Sequence, residues 1–358
     1  GTDIPRGPMK RIIPLLLVGL AACGHWKVSS YNSSRLCTLE NGTEPGKVPL
    51  KFGDDGIFDL TFGVRVFGGR IYVTDNALRR LQVLERDGSP ELVIGPKGAQ
   101  AKGGDVKTAS FNFSILGLLA ADSDRNIYVQ NRLTAGEGRN FSDDLDFSPS
   151  YVLLFDRNGT LQYTLGKQGL PNIPFDFIEH MEVDRADRLF VVSRKFNTWN
   201  VSRFQERKLT FSSNFSNADF AEKSDGGAFE GRIDCVKVFR EGENLLLSVA
   251  YYQGLRFKYR KIYNYSVREG KIIRAIVNLP DPKNELFAIM DDSRLYLWNI
   301  EERRTRFVVT NFDGNIIDNV LLKFDDKRYY FQDLMVDEGG SFYSYRVNRN
   351  SVDILEWK

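Results

Sequence analysis

The chain has 358 residues, 42% of them hydrophobic and 27% charged, with 49 Lys+Arg against 47 Asp+Glu. That length suits two ordinary domains or one large all-β domain, and the apolar fraction is enough for a sizeable core. Residues 1–22 hold Arg6, Lys10 and Arg11 against Asp3, so the remainder carries 46 charges of each sign and gives no bulk attraction to nucleic acid.

Residues 1–8 precede the first methionine and read as an expression remnant or an over-long upstream start. Met9 then opens "MKRIIPLLLVGLAACG", where Lys10 and Arg11 precede 11 apolar residues, Ile12 to Ala22. The stretch is too short to span a bilayer and suits a secretory signal. Its ending, Leu20-Ala21-Ala22-Cys23, resembles the bacterial lipobox. The resemblance implies a signal peptide over 9–22, a diacylglyceryl group on Cys23, and attachment to the cell envelope. Gly24, where an Asp would retain the protein at the inner membrane, favours the outer membrane. Residues 23–46 are rich in Ser, Asn, Gly and Thr and read as a flexible tether. Cys37 in the tether and Cys235 in the body can pair as a disulfide or remain two thiols. No Cys-x-x-Cys or Cys/His spacing points to zinc.

From residue 47 onward the signal is repeated strands. "GGRIYVTDNALRRLQVLERDGSPELVIGPKG" (68–98) parallels "DRNIYVQNR" (124–132) followed by "YVLLFDRNGTLQYTLGKQG" (151–169). In each, a strand ending in Tyr-Val leads to a second strand, an Asp-Gly or Asn-Gly turn, and a third strand. Strands starting near Arg70, Ile127, Leu189, Leu245, Leu295 and Phe342 mark six units of about 50 residues. Four short strands per unit predict an all-β, six-bladed β-propeller over 47–358. "FNFSILGLLAADSDRNIYVQN" and "RRLQVLERDG" resemble NHL-type repeats, a likeness carried by the first three units. It implies a fold and says little of function.

The last unit lacks its outermost strand, and "KVPLKFGDDG" (47–56) resembles the outer strands of other units. An N-terminal strand over Val48–Phe52 is therefore expected to pair with Val352–Trp357 and close the ring. In blades of strands A to D, the A–B and C–D turns are short. The long connections, 95–111, 131–150 and 213–231, are of the B–C or D–A kind and share the opposite end, the candidate binding end. Asn112, Arg139, Phe141, Asp143 and Asp144 are its candidate contacts.

Chemistry-bearing residues are few. Asp59, Asp176, Glu179 and Glu230 fall near the inner strands, where convergent oxygens can hold Ca²⁺; Asx side chains bonding turn amides are the structural alternative. "DSDRN" (122–126) lacks the Gly and distant Glu of an EF-hand and reads as a turn. His180, between Glu179 and Glu182, is the one candidate general base, although no nucleophile motif accompanies it. "YYQGLRFKYRKIYNY" (251–265) alternates aromatic and basic residues, as a strand with one packed face does.

The expected function is that of an envelope-anchored, non-catalytic lipoprotein that binds a protein or glycan through its long-connection end. The alternative is a metal-dependent hydrolase or lactonase, similar to six-bladed gluconolactonase-type propellers, with the four carboxylates near a central cation.

Overall fold

The computed structural model describes residues 28–97, 106–134, 149–224, 227–277, 279, 281, 283–290, 293–298, 306–324, 329–337 and 340–358. The signal segment, Cys23, Arg139, Phe141, Asp143 and Asp144 lie outside the described residues.

Strand β1 (Val28–Glu40) comes first, and β2 (Lys51–Phe52) and β3 (Phe58–Asp59) form a short hairpin. A five-stranded sheet follows in chain order: β4 (Phe62–Phe67), β5 (Arg70–Asp75), β6 (Arg80–Leu84), β7 (Pro90–Gly95) and β8 (Lys107–Ser110). Next come two four-stranded sheets. The first is β9 (Ile115–Ala121), β10 (Ile127–Arg132), β11 (Ser150–Phe155) and β12 (Leu161–Leu165). The second is β13 (Phe177–Val183), β14 (Leu189–Lys195), β15 (Thr198–Gln205) and β16 (Lys208–Ser216). Another five-stranded sheet holds β17 (Glu222–Ser224), β18 (Gly227–Val238), β19 (Asn244–Gln253), β20 (Arg256–Ser266) and β21 (Lys271–Ile276). The remaining strands are β22 (Glu285–Met290), β23 (Arg294–Trp298), β24 (Arg306–Thr310), β25 (Ile316–Lys323), β26 (Phe331–Val336), β27 (Phe342–Val347) and β28 (Ser351–Trp357). They share one eight-stranded sheet with β1, in the order β22-β23-β24-β25-β1-β28-β27-β26.

The fold is all-β and propeller-like. Inner strands stand side by side around a central channel, with β4 against both β9 and β26, β9 against β13, and β18 against β22. Alternation sets their facing: Phe62, Val64 and Val66 are buried, while Gly63, Arg65 and Phe67 are half-buried. The second strands, such as β5 and β10, are buried on both faces because a neighbouring sheet packs on each side. This explains their unbroken "IYV" runs. Tyr72, Leu81 and Ile94 of one sheet, for example, share a core with Phe113, Val129 and Phe155 of the next.

Five of the short turns use one mechanism. The carboxylates of Asp122, Asp184 and Asp337 accept from the backbone N–H four residues on, at 2.8, 2.9 and 2.8 Å. The third residue after each is left-handed: Arg125 (φ 66°), Asp187 (φ 56°) and Gly340 (φ 80°). Asp156 and Asn311 open the same device, with Gly159 (φ 83°) and Gly314 (φ 81°) at the left-handed position. This is a type I turn followed by a left-handed residue. "DSDRN" is one of these turns.

Two expectations are corrected at the N-terminus. The strand that pairs with β28 is β1, in antiparallel register from Ser33 opposite Trp357 to Glu40 opposite Ser351. Val48–Phe52 does not take that place: Val48 is fully buried in the same core and Phe52 packs on Tyr330 at 4.9 Å. Residues 28–46 are consequently no flexible tether. The polar composition of "VSSYNSSRLCTLE" misleads because an outermost strand buries only part of one face, here Cys37 and Leu39. Before reaching β28, Val28–Asn32 runs parallel to β25.

The disulfide alternative is also corrected. Cys37 and Cys235 are both free, because one lies on β1 and the other on β18 of a different sheet. Burial, with Asp87 and Asp353 nearby, pushes the Cys37 thiol up to about 12.

Candidate functional site

At the long-connection end the central channel widens into a cavity of about 360 Å³, walled by β4, β9, β10, β13 and β26. Two ion pairs stand at it, while Arg132, also in its lining, has a buried Nε without a partner among the described residues. Arg65 of β4 reaches Asp333 of β26 at 3.4 Å, tying the first inner strand to the last. Arg194 Nε donates to Glu179 at 2.8 Å. Burial raises the Glu179 carboxyl above its ordinary range, with the Arg194 guanidinium opposing.

Two of the inner strands bulge near charged side chains. The pairing slips at Glu179 in β13 and at Asp234 in β18, each leaving one residue unpaired. Asp234 receives Arg260 Nη2 at 2.7 Å, and Arg260, only 5% exposed, also donates to the Asn284 carbonyl at 2.8 Å. His180 Nε2 lies 2.9 Å from Glu182 Oε2. Burial and then the Lys237 ammonium hold its imidazole below the usual histidine value, against the pull of Glu182. Burial raises the Cys235 thiol to about 11, so it is protonated at neutral pH. The hydrogen-bond partner of His180 is thus a carboxylate on its own strand.

The four candidate metal carboxylates do not converge. Asp59 is exposed on β3, Asp176 accepts from Lys167 Nζ at 2.9 Å beside a different cavity, and Glu179 belongs to the channel mouth. Glu230 is exposed and sits 3.3 Å from Arg232. Among the described residues, no three His, Cys, Asp or Glu side chains gather as a metal site. The Phe-rich crossovers are packing elements: Phe111 and Phe113 lie 4.8 Å apart and both meet Phe155, while Asn112 between them is exposed.

Other amides tie the crossovers. Asn76 Oδ1 accepts from Leu116 N–H at 2.7 Å, Asn131 from Ser114 at 2.9 Å, and Asn217 from Ile233 at 3.0 Å. These residues close second strands or crossovers, and no local motif distinguishes them from ordinary turn asparagines.

The aromatic-basic stretch folds inward. Lys261 Nζ pairs with Glu222, and its ammonium lies 5.3 Å from the Tyr251 ring centroid and 5.5 Å from that of Tyr259. Tyr259 donates to Glu222 at 2.8 Å. With Arg260 also engaged, the stretch presents no simple cationic face.

A second cavity, about 350 Å³, opens at the same end beside the β14–β15 turn. Ser193, Asn200 and Asn214 form its polar wall, in register across three adjacent strands. Asn200 Nδ2 donates to Asn214 Oδ1 at 2.7 Å, and Ser202 donates to Asn200 Oδ1 at 2.9 Å. The Ser193 hydroxyl is buried and has no hydrogen-bond partner among the described residues. Sequence reading missed this row, because Ser and Asn on a strand face carry no motif until neighbouring strands align them.

No family model matches the sequence, and no curated protein matches it. Among solved structures, the Dos1 propeller aligns over 94% of this chain and 95% of its own, with a TM-score of 0.45 and 9% identity. At that level the likeness carries nothing about function. The propeller-like fold rests on the strand ladders themselves.

Proposed function

We propose that the chain is an envelope-anchored lipoprotein whose six-bladed, NHL-like propeller binds a protein or glycan partner through its long-connection end. The observation that supports this best is one of degree. Among the described residues the three most exposed large apolar side chains, Leu255, Ile57 and Phe196, sit on B–C or D–A connections, while Leu161, Leu209, Ile272 and Ile317 beside the short turns are 36–42% exposed. Ile57, Leu60, Leu170, Phe196, Leu255 and Tyr330 are large, apolar and exposed, and all six sit on B–C or D–A connections. Leu255, 96% exposed at the tip of the β19–β20 turn, is the extreme case. Exposed apolar groups gathered at one place mark interaction surfaces more often than scattered ones do.

The short-turn end is also tied to itself. Asp187 accepts from the backbone N–H and hydroxyl of Ser123 in the neighbouring sheet, at 2.9 and 2.6 Å. Arg188 Nη2 donates to the Glu241 carbonyl at 2.8 Å. In the register of the last sheet, Ser33 shares its level with Trp357, Phe342 and Val336, so β1 enters at this end. A lipid on Cys23 would leave four residues before Val28, a reach below about 20 Å. That arrangement holds the short-turn end towards an outer-membrane surface and turns the binding end away.

Two experiments test the reading. Labelling with radioactive palmitate in a bacterial host should mark the parent chain and not Cys23→Ser. Partner capture from envelope extract should fall for Leu255→Asp and for deletion of 135–148, and persist for Asp124→Lys at the short-turn end. The opposite pattern would place the binding surface at the wrong end.

A further inference from the structure

We infer that the cavity beside the β14–β15 turn is a carbohydrate site that accepts one hexose unit of a glycan. This rests on the reading of the long-connection end as the binding end and names a ligand class for it.

The starting point is a residue in an unfavourable conformation. Lys195 and Thr198 face each other in the β14–β15 ladder, so Phe196 and Asn197 form the two-residue turn. Phe196 has φ 51°, in the left-handed region that a bulky side chain rarely adopts. The matching turn of the next sheet, β19–β20, places Gly254 there, with φ 60°. Phe196 gains little burial in exchange, because it is 64% exposed. A strained residue that lines a cavity and stays largely exposed is a candidate contact for whatever fills it.

The cavity wall supplies the complement. Asn200 and Asn214 already bond each other and so hold fixed orientations, while Asn197 and Thr198 add polar groups at the mouth. Amides and hydroxyls both donate and accept, which is what a ring of hydroxyl groups requires. The polarised C–H face of a sugar ring fits the electron-rich face of Phe196. At the rim, Lys167 and Asp176 neutralise each other, leaving Lys195 as a positive charge that disfavours cationic sugars. A volume of about 350 Å³ lies at the small end of ligand sites, which span roughly 300–1,000 Å³. That volume is on the scale of a single sugar ring.

The test is saturation-transfer NMR and titration of the full chain with N-acetylglucosamine and methyl glucoside, up to about 50 mM, well above a millimolar Kd. Saturable binding is expected for at least one of the two sugars. Phe196→Gly removes the ring and suits the left-handed backbone, so it should melt no lower than the parent yet bind at least about tenfold more weakly. Phe196→Trp should retain binding. No saturable binding of either sugar, or equal binding by Phe196→Gly, overturns the proposal. If that happens while Leu255→Asp still abolishes partner capture, the sugar site falls and the binding end stands. Sugar binding alongside capture unaffected by every change at that end would overturn the broader reading alone.

Discussion

Arg80 donates from Nε to Asp75 Oδ2 at 3.0 Å, with the two side chains 1% and 0% exposed. The same guanidinium donates through Nη1 to the Thr43 carbonyl at 2.6 Å and through Nη2 to those of Glu44 and Lys47 at 3.3 and 3.0 Å. One buried ion pair therefore fastens the segment between β1 and β2 to the first sheet. Removing one partner of such a pair leaves an uncompensated charge. Arg80→Met should lower unfolding stability by about 3–5 kcal/mol, and Asp75→Leu/Arg80→Met should recover part of that loss. Urea midpoints check it; a loss no larger than that of an exposed ion pair would show that the contact does not hold the segment.

The channel histidine gives the fold a pH dependence. Burial and Lys237 depress the folded-state value of His180 below that of the unfolded chain, near 6.5. As pH falls below that point the unfolded chain takes up the proton first. This contribution to stability is complete above about pH 6.5 and is lost as pH falls through the folded value. Urea midpoints at about pH 7.5 and about pH 5.5 should differ less for His180→Gln than for the parent. Equal differences in both proteins would contradict the placement of the imidazole.

Both described thiols should be unreactive. Cys37 and Cys235 are raised to about 12 and about 11, burial being the leading cause in each case. Iodoacetamide at about pH 8 should modify neither in the native chain and both after denaturation, when the thiols return to near 8.5. Peptide mapping reads each site separately. A Cys37–Cys235 disulfide in that map would contradict the strand placement of both residues.

Turn chemistry is testable at Gly159. Its φ is 83°, and a Cβ there would approach Ala109 Cβ to 2.7 Å. Gly159→Ala should destabilise the fold by roughly 1–3 kcal/mol through backbone strain and that contact. Thermal unfolding measures it, and a neutral result would mean that the turn has another conformation.

What the sequence made legible follows from which forces act locally. The "IYV" strands and the Asp-Gly and Asn-Gly turns were readable because alternation and left-handed glycines act over a few residues. β1 was not readable, since its partner Ser351–Trp357 is more than 300 residues away and its Ser-rich face resembles solvated coil. Asp59, Asp176, Glu179 and Glu230 looked equivalent because all four fall at or just before inner strands. A bulge at Glu179 and the local cations Lys167, Arg194 and Arg232 then gave them separate environments. The Ser193–Asn200–Asn214 row exists only once three strands are in register. Phe196 carried one visible signal, an aromatic residue where a neighbouring turn has glycine.

The β1–β28 pairing decides where the N-terminus joins the last sheet. Thr38 lies opposite Asp353, and its hydroxyl donates to that carboxylate at 2.7 Å. Antiparallel Cα partners lie about 4.5–5.5 Å apart, inside the range that a disulfide spans. In a Cys37→Ala background, Thr38→Cys/Asp353→Cys should oxidise to an intramolecular cross-link, and Lys51→Cys/Asp353→Cys should stay reduced. Cross-linking of the Lys51 pair, with the Thr38 pair left reduced, would put Val48–Phe52 against the last strand and contradict the closure described above.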